Sequence, residues 1–118
     1  MAQHALGEVK PASTVIALRA TNNMPTLDPP LTQPAAKNFS CTSLQFQALA
    51  TNTGKVFIVD RETPDLTKNV LVEIPAPANS IGPSWSIGDP TKVAAFDAAT
   101  FWILPAVSGE GVRVTIIR

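Results

Sequence analysis

Short segments in which apolar and polar residues alternate recur along the chain, and each ends at residues that favour turns. Within residues 39–50, for example, Leu44, Phe46 and Ala48 share one parity, which is the pattern of a half-buried β-strand. Turn residues follow at intervals of roughly 8–12 residues, an arrangement typical of antiparallel sandwiches and barrels. Because helical segments do not alternate with the strands, the pattern disfavours a parallel α/β sheet.

The pattern predicts about seven short strands. They lie over residues 13–19, 39–50, 55–60, 69–74, 84–88, 101–107 and 112–118. Residues 92–100 fit either a short strand or a turn of helix, since alanine favours helix but the segment is short. We expect two hairpins, one joining the strands on either side of residues 51–54 and one joining the last two strands. The fold class is therefore all-β, an antiparallel β-sandwich or a jelly-roll-like barrel.

Prolines divide the chain into two parts. Four of them lie between residues 21 and 38, at Pro25, Pro29, Pro30 and Pro34. Proline lacks the N–H of a ladder and biases its predecessor towards extended geometry, so this segment is expected to be an extended arm. We assign residues 1–38 to an N-terminal strand and Pro-rich arm and residues 39–118 to the sandwich or barrel domain. The apolar side chains of the arm are candidate partner contacts: Met24, Leu27 and Leu31.

Composition limits the classes of partner. The chain has 118 residues, which fits one domain, and a formal net charge of zero with no basic block. We therefore expect no nucleic-acid binding, and the apolar runs are too short to cross a membrane. Residues 1–10 do not resemble a signal peptide. Only 15% of the residues are charged, which fits a surface that packs against other protein or a neutral Thr- and Asn-rich exterior.

Catalytic chemistry has few candidates here. His4 is the only histidine and Cys41 the only cysteine, so neither a Ser-His-Asp triad nor a transition-metal site is readily built. We expect Cys41 to be a small buried apolar residue. The carboxylates of Asp60, Glu62 and Asp65 cluster in one predicted loop, where a solvated turn is favoured over a calcium site. The sequence thus predicts a protein that is not an enzyme, without catalytic residues, cofactor or metal.

The two tryptophans, Trp85 and Trp102, are further candidate partner-interface residues. Phe101 and Trp102 are adjacent in one predicted strand, so their side chains point to opposite faces. One is expected in the core and the other against a second layer or a partner. The alternative places both tryptophans in the domain's own core, with the chain wrapping both faces of the sheet. An exposed tryptophan also stacks on sugars, which keeps glycan binding open.

The chain from residue 43 to its end resembles small virion proteins of tailed bacteriophages. The resemblance rests on the turn at residues 52–54 and the strand at residues 56–59, followed by the aromatic strand at residues 99–103 and the closing strand at residues 112–115. The Gly- and Pro-rich insertion at residues 76–90 departs from that pattern.

The resemblance implies a capsid decoration or cement protein on the capsid exterior. Its expected partners are the major capsid protein and further copies of itself, with a trimer as the expected homo-oligomer. The alternative is a carbohydrate- or receptor-binding module associated with a tail or fibre.

Overall fold

In the computed structural model, which describes residues 3–22, 40–77, 82–88 and 95–117, the chain is built from β-strands. Their bounds are β1 (Gln3–Val9), β2 (Leu18–Arg19), β3 (Ser40–Cys41), β4 (Ser43–Ala48), β5 (Val56–Val59), β6 (Val70–Ile74), β7 (Ser84–Gly88), β8 (Phe96–Asp97), β9 (Trp102–Pro105) and β10 (Val112–Ile117). One turn of 3-10 helix, Ala98–Thr100, follows β8. Every strand pair is antiparallel, which confirms the all-β antiparallel prediction.

Eight of these strands form a β-sandwich. The first sheet has the order β1-β10-β4-β7 and the second sheet the order β2-β9-β5-β6. The pairing is nested in the sequence. The strands nearest the two ends of the chain pair with each other, and the pairs continue towards its middle: β1 with β10, β2 with β9, β4 with β7 and β5 with β6. Successive pairs alternate between the two sheets, as they do when one long antiparallel hairpin is rolled up into a jelly roll. The remaining pair, β3 with β8, forms a small separate sheet.

Both predicted hairpins are wrong. Strands β4 and β5 lie in different sheets, and so do β9 and β10. Alternation along a strand shows which residues face the core, but it does not show in which sheet the strand lies. The connections at residues 49–55 and 106–111 therefore cross from one sheet to the other.

The N-terminal part differs from the prediction in two ways. Residues 3–9, which we did not predict as a strand, form β1, and Leu6 and Val9 on it are fully buried. The strand predicted over residues 13–19 is limited to β2, because the Ser13 hydroxyl accepts hydrogen bonds from the N–H groups of Val15 and Ile16 and bends the chain there. The Pro-rich arm and the boundary predicted between residues 38 and 39 lie outside the described residues.

The core lies between the two sheets and is richest in aromatic side chains near β7. Phe46 stacks on Trp85 with ring centroids 5.9 Å apart and planes 6° apart. Phe101 packs against both rings at 6.1 and 6.4 Å, and Phe96 contacts Phe101 edge-on. These rings join the buried aliphatic side chains of both sheets in one cluster.

The two crossing connections are joined by a buried amide. The Asn52 side chain is only 6% exposed, and its Nδ2 donates to the Gly111 carbonyl oxygen at 2.7 Å. The N–H of Gly111 donates in return to Asn52 Oδ1 at 3.3 Å. A Cβ atom on Gly111 would lie 1.8 Å from the Val9 carbonyl oxygen, so glycine is required for this approach. The side chain of Asn52 thus accepts the hydrogen bond of the Gly111 N–H and adds a second, shorter hydrogen bond to a carbonyl oxygen that also accepts from the N–H of Leu49 at 3.3 Å.

A second link between the connections is a set of hydrogen bonds to a carboxylate. The Glu110 carboxylate accepts hydrogen bonds from the N–H and hydroxyl of Thr53, at 2.8 and 2.9 Å, and from the N–H of Gly54 at 3.0 Å. Partial burial acts to raise the pKa of Glu110, but these three hydrogen bonds outweigh it and hold the pKa below its ordinary value of 4.5.

Replacing Asn52 with alanine should reduce the free energy of unfolding by about 1–3 kcal/mol, because it leaves the buried N–H of Gly111 without its partner and the C=O of Gly111 with only the 3.3 Å hydrogen bond from the N–H of Leu49. Chemical denaturation measures the change. Thr51→Ala, at an exposed position in the same connection, is the control and should cost no more than about 0.5 kcal/mol. Equal losses in the two variants would contradict the role assigned to the amide.

The lowered pKa of Glu110 predicts acid sensitivity. Its stabilising contribution is fully present above the unfolded-state pKa and is lost as the pH falls through the folded-state pKa. Glu110→Gln should therefore lower stability at neutral pH and flatten the decline in stability between about pH 5 and pH 3. Thermal unfolding across that range measures both effects. Glu62→Gln, which changes the net charge equally in another exposed loop, is the control; a wild-type pH slope in Glu110→Gln would refute the prediction.

Candidate interaction surface

The outer faces of the two sheets differ in chemistry. On the first sheet, residues with the opposite parity to the core residues are mostly polar. The polar ones on β4, β7 and β10 include Gln45, Gln47, Ser84, Ser86, Arg113 and Thr115. On β5 of the second sheet, Val56 and Ile58 enter the core, while Phe57 and Val59 point outwards. The second sheet is therefore apolar on both sides.

A second apolar cluster lies on that outer face. Its buried members are Ala17, Val59 and Leu104, and the partly buried Phe57, Val70 and Trp102 pack against them. The strand register explains the cluster, because Val59 lies opposite both Trp102 and Val70 in the two neighbouring strands.

A bulge in β6 enlarges the apolar area. The register between β5 and β6 shifts so that Ile58 pairs with Val72 while Val59 pairs with Val70, leaving Leu71 as the extra residue. Such a bulge breaks the alternation of faces. Val70 joins the outer cluster, and Leu71 next to it is 51% exposed.

The segment between β1 and β2 adds two more apolar side chains. The N–H of Ala17 donates to the Glu62 carbonyl oxygen at 2.8 Å, which ties the segment to the β5–β6 connection. Val15 and Ile16 directly precede Ala17 and are 67% and 48% exposed. We use the name apolar face for Val15, Ile16, Phe57, Val70, Leu71 and Trp102.

Arg19 holds Trp102 in place on the apolar face. Its guanidinium carbon lies 4.5 Å from the centroid of the Trp102 ring, within cation–π range. Its Nη1 also donates to the Ala99 carbonyl oxygen at 3.1 Å, which fixes the guanidinium. One side of the indole is therefore occupied, and the ring belongs to a pre-ordered surface.

The other predicted interface residues fall elsewhere. Trp85 points into the sandwich, where it stacks on Phe46. Met24, Leu27 and Leu31 lie outside the described residues. Of the residues predicted as partner contacts, Trp102 is the one that the structure places on the apolar face.

The candidate cysteine lies in the core, and the candidate carboxylates lie in an exposed loop. Cys41 is 1% exposed, as predicted for a small buried residue, and burial, followed by the charge of Asp97, raises the pKa of its thiol to about 11. In the loop after β5, Asp60 pairs with Arg61 at 2.8 Å, while Asp65 accepts from the N–H and hydroxyl of Thr67. Among the described residues, no group of three or more His, Cys, Asp or Glu side chains is placed to hold a metal ion.

A polar hollow of about 360 Å³ lies on the opposite side of the molecule, at one end of the first sheet. Glu8, Gln47, Thr51 and Arg113 contribute its polar side chains, with Ala48, Leu49, Ala50 and Gly82 completing the lining. The Arg113 guanidinium lies 3.4 Å from the Glu8 carboxylate. The hollow thus offers amide, hydroxyl, guanidinium and carboxylate groups to a polar ligand.

Sequence reasoning missed most of the apolar face. Residues 56–59 and residues 101–105 are two continuous apolar runs, which signal strands buried on both faces and were the local signs of an outer cluster. Leu71 reaches the face through a bulge, while Val15 and Ile16 reach it through a turn inside a predicted strand. Neither the bulge nor the turn produces a periodic pattern of apolar residues, so the sequence does not reveal them.

Comparison of the chain with protein-family models, with curated proteins and with solved structures found no match. In the described part of the chain, no helix has the length and apolarity needed to cross a membrane. The described residues form a jelly-roll β-sandwich with one polar and one apolar outer face.

Combined Val15→Ser, Ile16→Ser and Leu71→Ser substitutions should reduce the binding of an apolar fluorescent dye by about twofold, because they remove the three most exposed side chains of the apolar face. Stability should change little, by about 0.5 kcal/mol per site, since these side chains are exposed. Val107→Ser, at an exposed position in the β9–β10 connection, is the control. Equal loss of dye binding in the control would contradict a contiguous face.

Proposed function

We propose that this chain is a non-enzymatic structural protein of a virion, a capsid decoration protein that binds the major capsid protein through its apolar face. The observation that carries the proposal is the exposure of Val15, Ile16 and Leu71 beside the outer cluster of the second sheet. Large apolar side chains left exposed next to an outer apolar cluster are typical of binding sites.

The composition of the face suits a protein partner. Aromatic residues and arginine are enriched at protein interfaces, and charged residues are depleted at their centres. Trp102 with Arg19 over its ring provides such an anchor, and Phe57 and Val70 lie in the same cluster. The partner surface would be correspondingly apolar, with a polar rim.

The face is also held in shape before binding. The Ser13 hydroxyl fixes the backbone at Val15 and Ile16, and the Ala17–Glu62 hydrogen bond anchors that segment. Fixing these groups in the free protein reduces the entropy lost when a partner binds. A repeating capsid lattice would add avidity, because an oligomer of this chain engages several subunits at once.

One observation favours a second candidate, a carbohydrate- or receptor-binding module of a tail or fibre. The polar hollow lined by Glu8, Gln47, Thr51 and Arg113 presents the types of group that bind sugar hydroxyls. A site there would not depend on tryptophan stacking, since Trp85 packs in the core and Arg19 covers one side of Trp102.

Capsid binding can be tested by co-sedimentation with empty capsids assembled from the major capsid protein of the same genome. The full-length chain should pellet with capsids, and the combined V15S, I16S and L71S variant should bind at least about tenfold more weakly. Val107→Ser should bind like the wild type. Wild-type binding by the combined variant would show that the apolar face is not the contact.

A separate variant tests whether the Pro-rich arm contributes to capsid binding. Deleting residues 1–38 would remove β1 and β2, and with them the buried side chains of Leu6 and Val9. Replacing residues 24–37 by a Gly/Ser linker of equal length leaves both strands in the chain. Weaker binding would assign the arm a part in the contact. If the intact chain binds no capsid, the decoration role is wrong, and a glycan screen with Gln47→Ala as the control then tests the second candidate.

A further inference from the structure

The sandwich has four edge strands, and three of them carry features that discourage pairing with another chain. An edge strand exposes unpaired N–H and C=O groups, which proteins protect with charges, bulges or short length. β1 has a register shift at Gly7 and carries Glu8, whereas β2 has two residues, one of them Arg19. β6 contains a bulge and carries Glu73.

The fourth edge strand, β7, has none of these features. Its five residues include no charged side chain, and its register with β4 has no shift from Ser84 to Gly88, where a positive φ of 90° ends the strand. Five residues is an ordinary strand length. Within the described residues, no strand pairs with its other side.

The backbone groups that face outwards follow from the pairing with β4. The N–H of Ala48 donates to the Pro83 carbonyl oxygen at 2.8 Å, so these two residues form a hydrogen-bonded pair. Such pairs alternate along an antiparallel ladder, so the N–H and C=O groups of Trp85 and Ile87 point to β4. Those of Ser84 and Ser86 therefore point away from the sheet.

The inner side of this edge is incompletely covered. Trp85 and Ile87 pack against the core cluster but are only partly buried. The outer side carries the small hydroxyls of Ser84 and Ser86. A strand added to this edge would cover the two apolar side chains and meet no bulky group outside.

We propose that β7 is a self-association edge, at which two copies of this chain pair antiparallel about a two-fold axis. Ser86 would face Ser86 of the second copy, and Ser84 would face Gly88 of that copy. The two first sheets would then form one continuous eight-stranded sheet, with Trp85 opposite Ile87 of the second copy on its inner side.

The charge pattern argues for a second copy as the occupant. A two-fold axis places identical residues close together, so a charged strand would repel itself. Among the four edge strands of the sandwich, β7 is the one without a charged side chain, so a second copy of β7 can pair with it without charge repulsion. The resulting dimer differs from the trimer expected from the sequence.

Sedimentation equilibrium of the full chain tests the proposal. The wild type should form a dimer with a Kd of about 10–100 µM, in the range of small interfaces. Ser86→Lys and Ser86→Glu should each raise the Kd at least about tenfold, because like charges then meet across the axis. An equal mixture of the two variants should dimerise again, since opposite charges now meet.

Gln45→Lys is the matched control. Gln45 is the cross-strand neighbour of Ser86 on the same outer face but lies on the interior strand β4, so its substitution should leave the Kd unchanged. Circular dichroism confirms that each variant is folded. A monomeric or trimeric wild type, a dimer insensitive to both Ser86 charges, or a mixture that stays monomeric would overturn the proposal. Because capsid binding is tested through the apolar face, either proposal can fail alone.

Discussion

The architecture depends on the contact between the Asn52 side chain and the backbone of Gly111. The connections β4–β5 and β9–β10 both cross between the sheets, and this amide joins them beside the last backbone hydrogen bond of the β4–β10 pair, from the N–H of Leu49 to the Gly111 carbonyl oxygen. Gly111 also lies against the Val9 carbonyl oxygen, so the end of β1 meets the same point. Three separate parts of the chain are thereby held together by one residue without a side chain and one buried amide. Because a buried amide without partners is costly, alternative arrangements of these connections are disfavoured.

The jelly roll places residues in three environments: the core between the sheets, the polar exterior of the first sheet and the apolar exterior of the second sheet. Both inner faces build the core, and the polar parity of β4, β7 and β10 gives the first sheet an ordinary solvated exterior. The second sheet has apolar residues of both parities on β5 and β9, so its exterior carries a second cluster. A segment of the chain covers part of that cluster but itself presents Val15 and Ile16 to solvent. The same packing that completes the fold therefore leaves a surface suited to a partner.

The two proposed contacts use different physical devices. The apolar face offers side chains on an ordered platform, in which Arg19 restrains Trp102 and a bulge presents Leu71. The edge at β7 offers main-chain groups, and its side chains matter chiefly because they carry no charge and are small. Such contacts lie on different sheets, so a chain that used both would join neighbours in two directions. A lattice-binding protein gains from that combination, because each contact can be weak while the assembly is held at several points.

The sequence by itself determined the fold class, most strand positions and the burial of Cys41, because alternation and turn chemistry are local properties. Residues 70–74 and 84–88 became strands as predicted, and Leu44, Phe46 and Ala48 face the core. Pairing was decided only by tertiary structure, since period-two alternation orients a side chain without naming the neighbouring strand. The same limit hid β1 and left open which tryptophan faces the core, a choice that the structure makes with Trp85 inside and Trp102 outside. Each depends on which sheet covers the strand, and that is set by long-range contacts such as the one between Asn52 and Gly111.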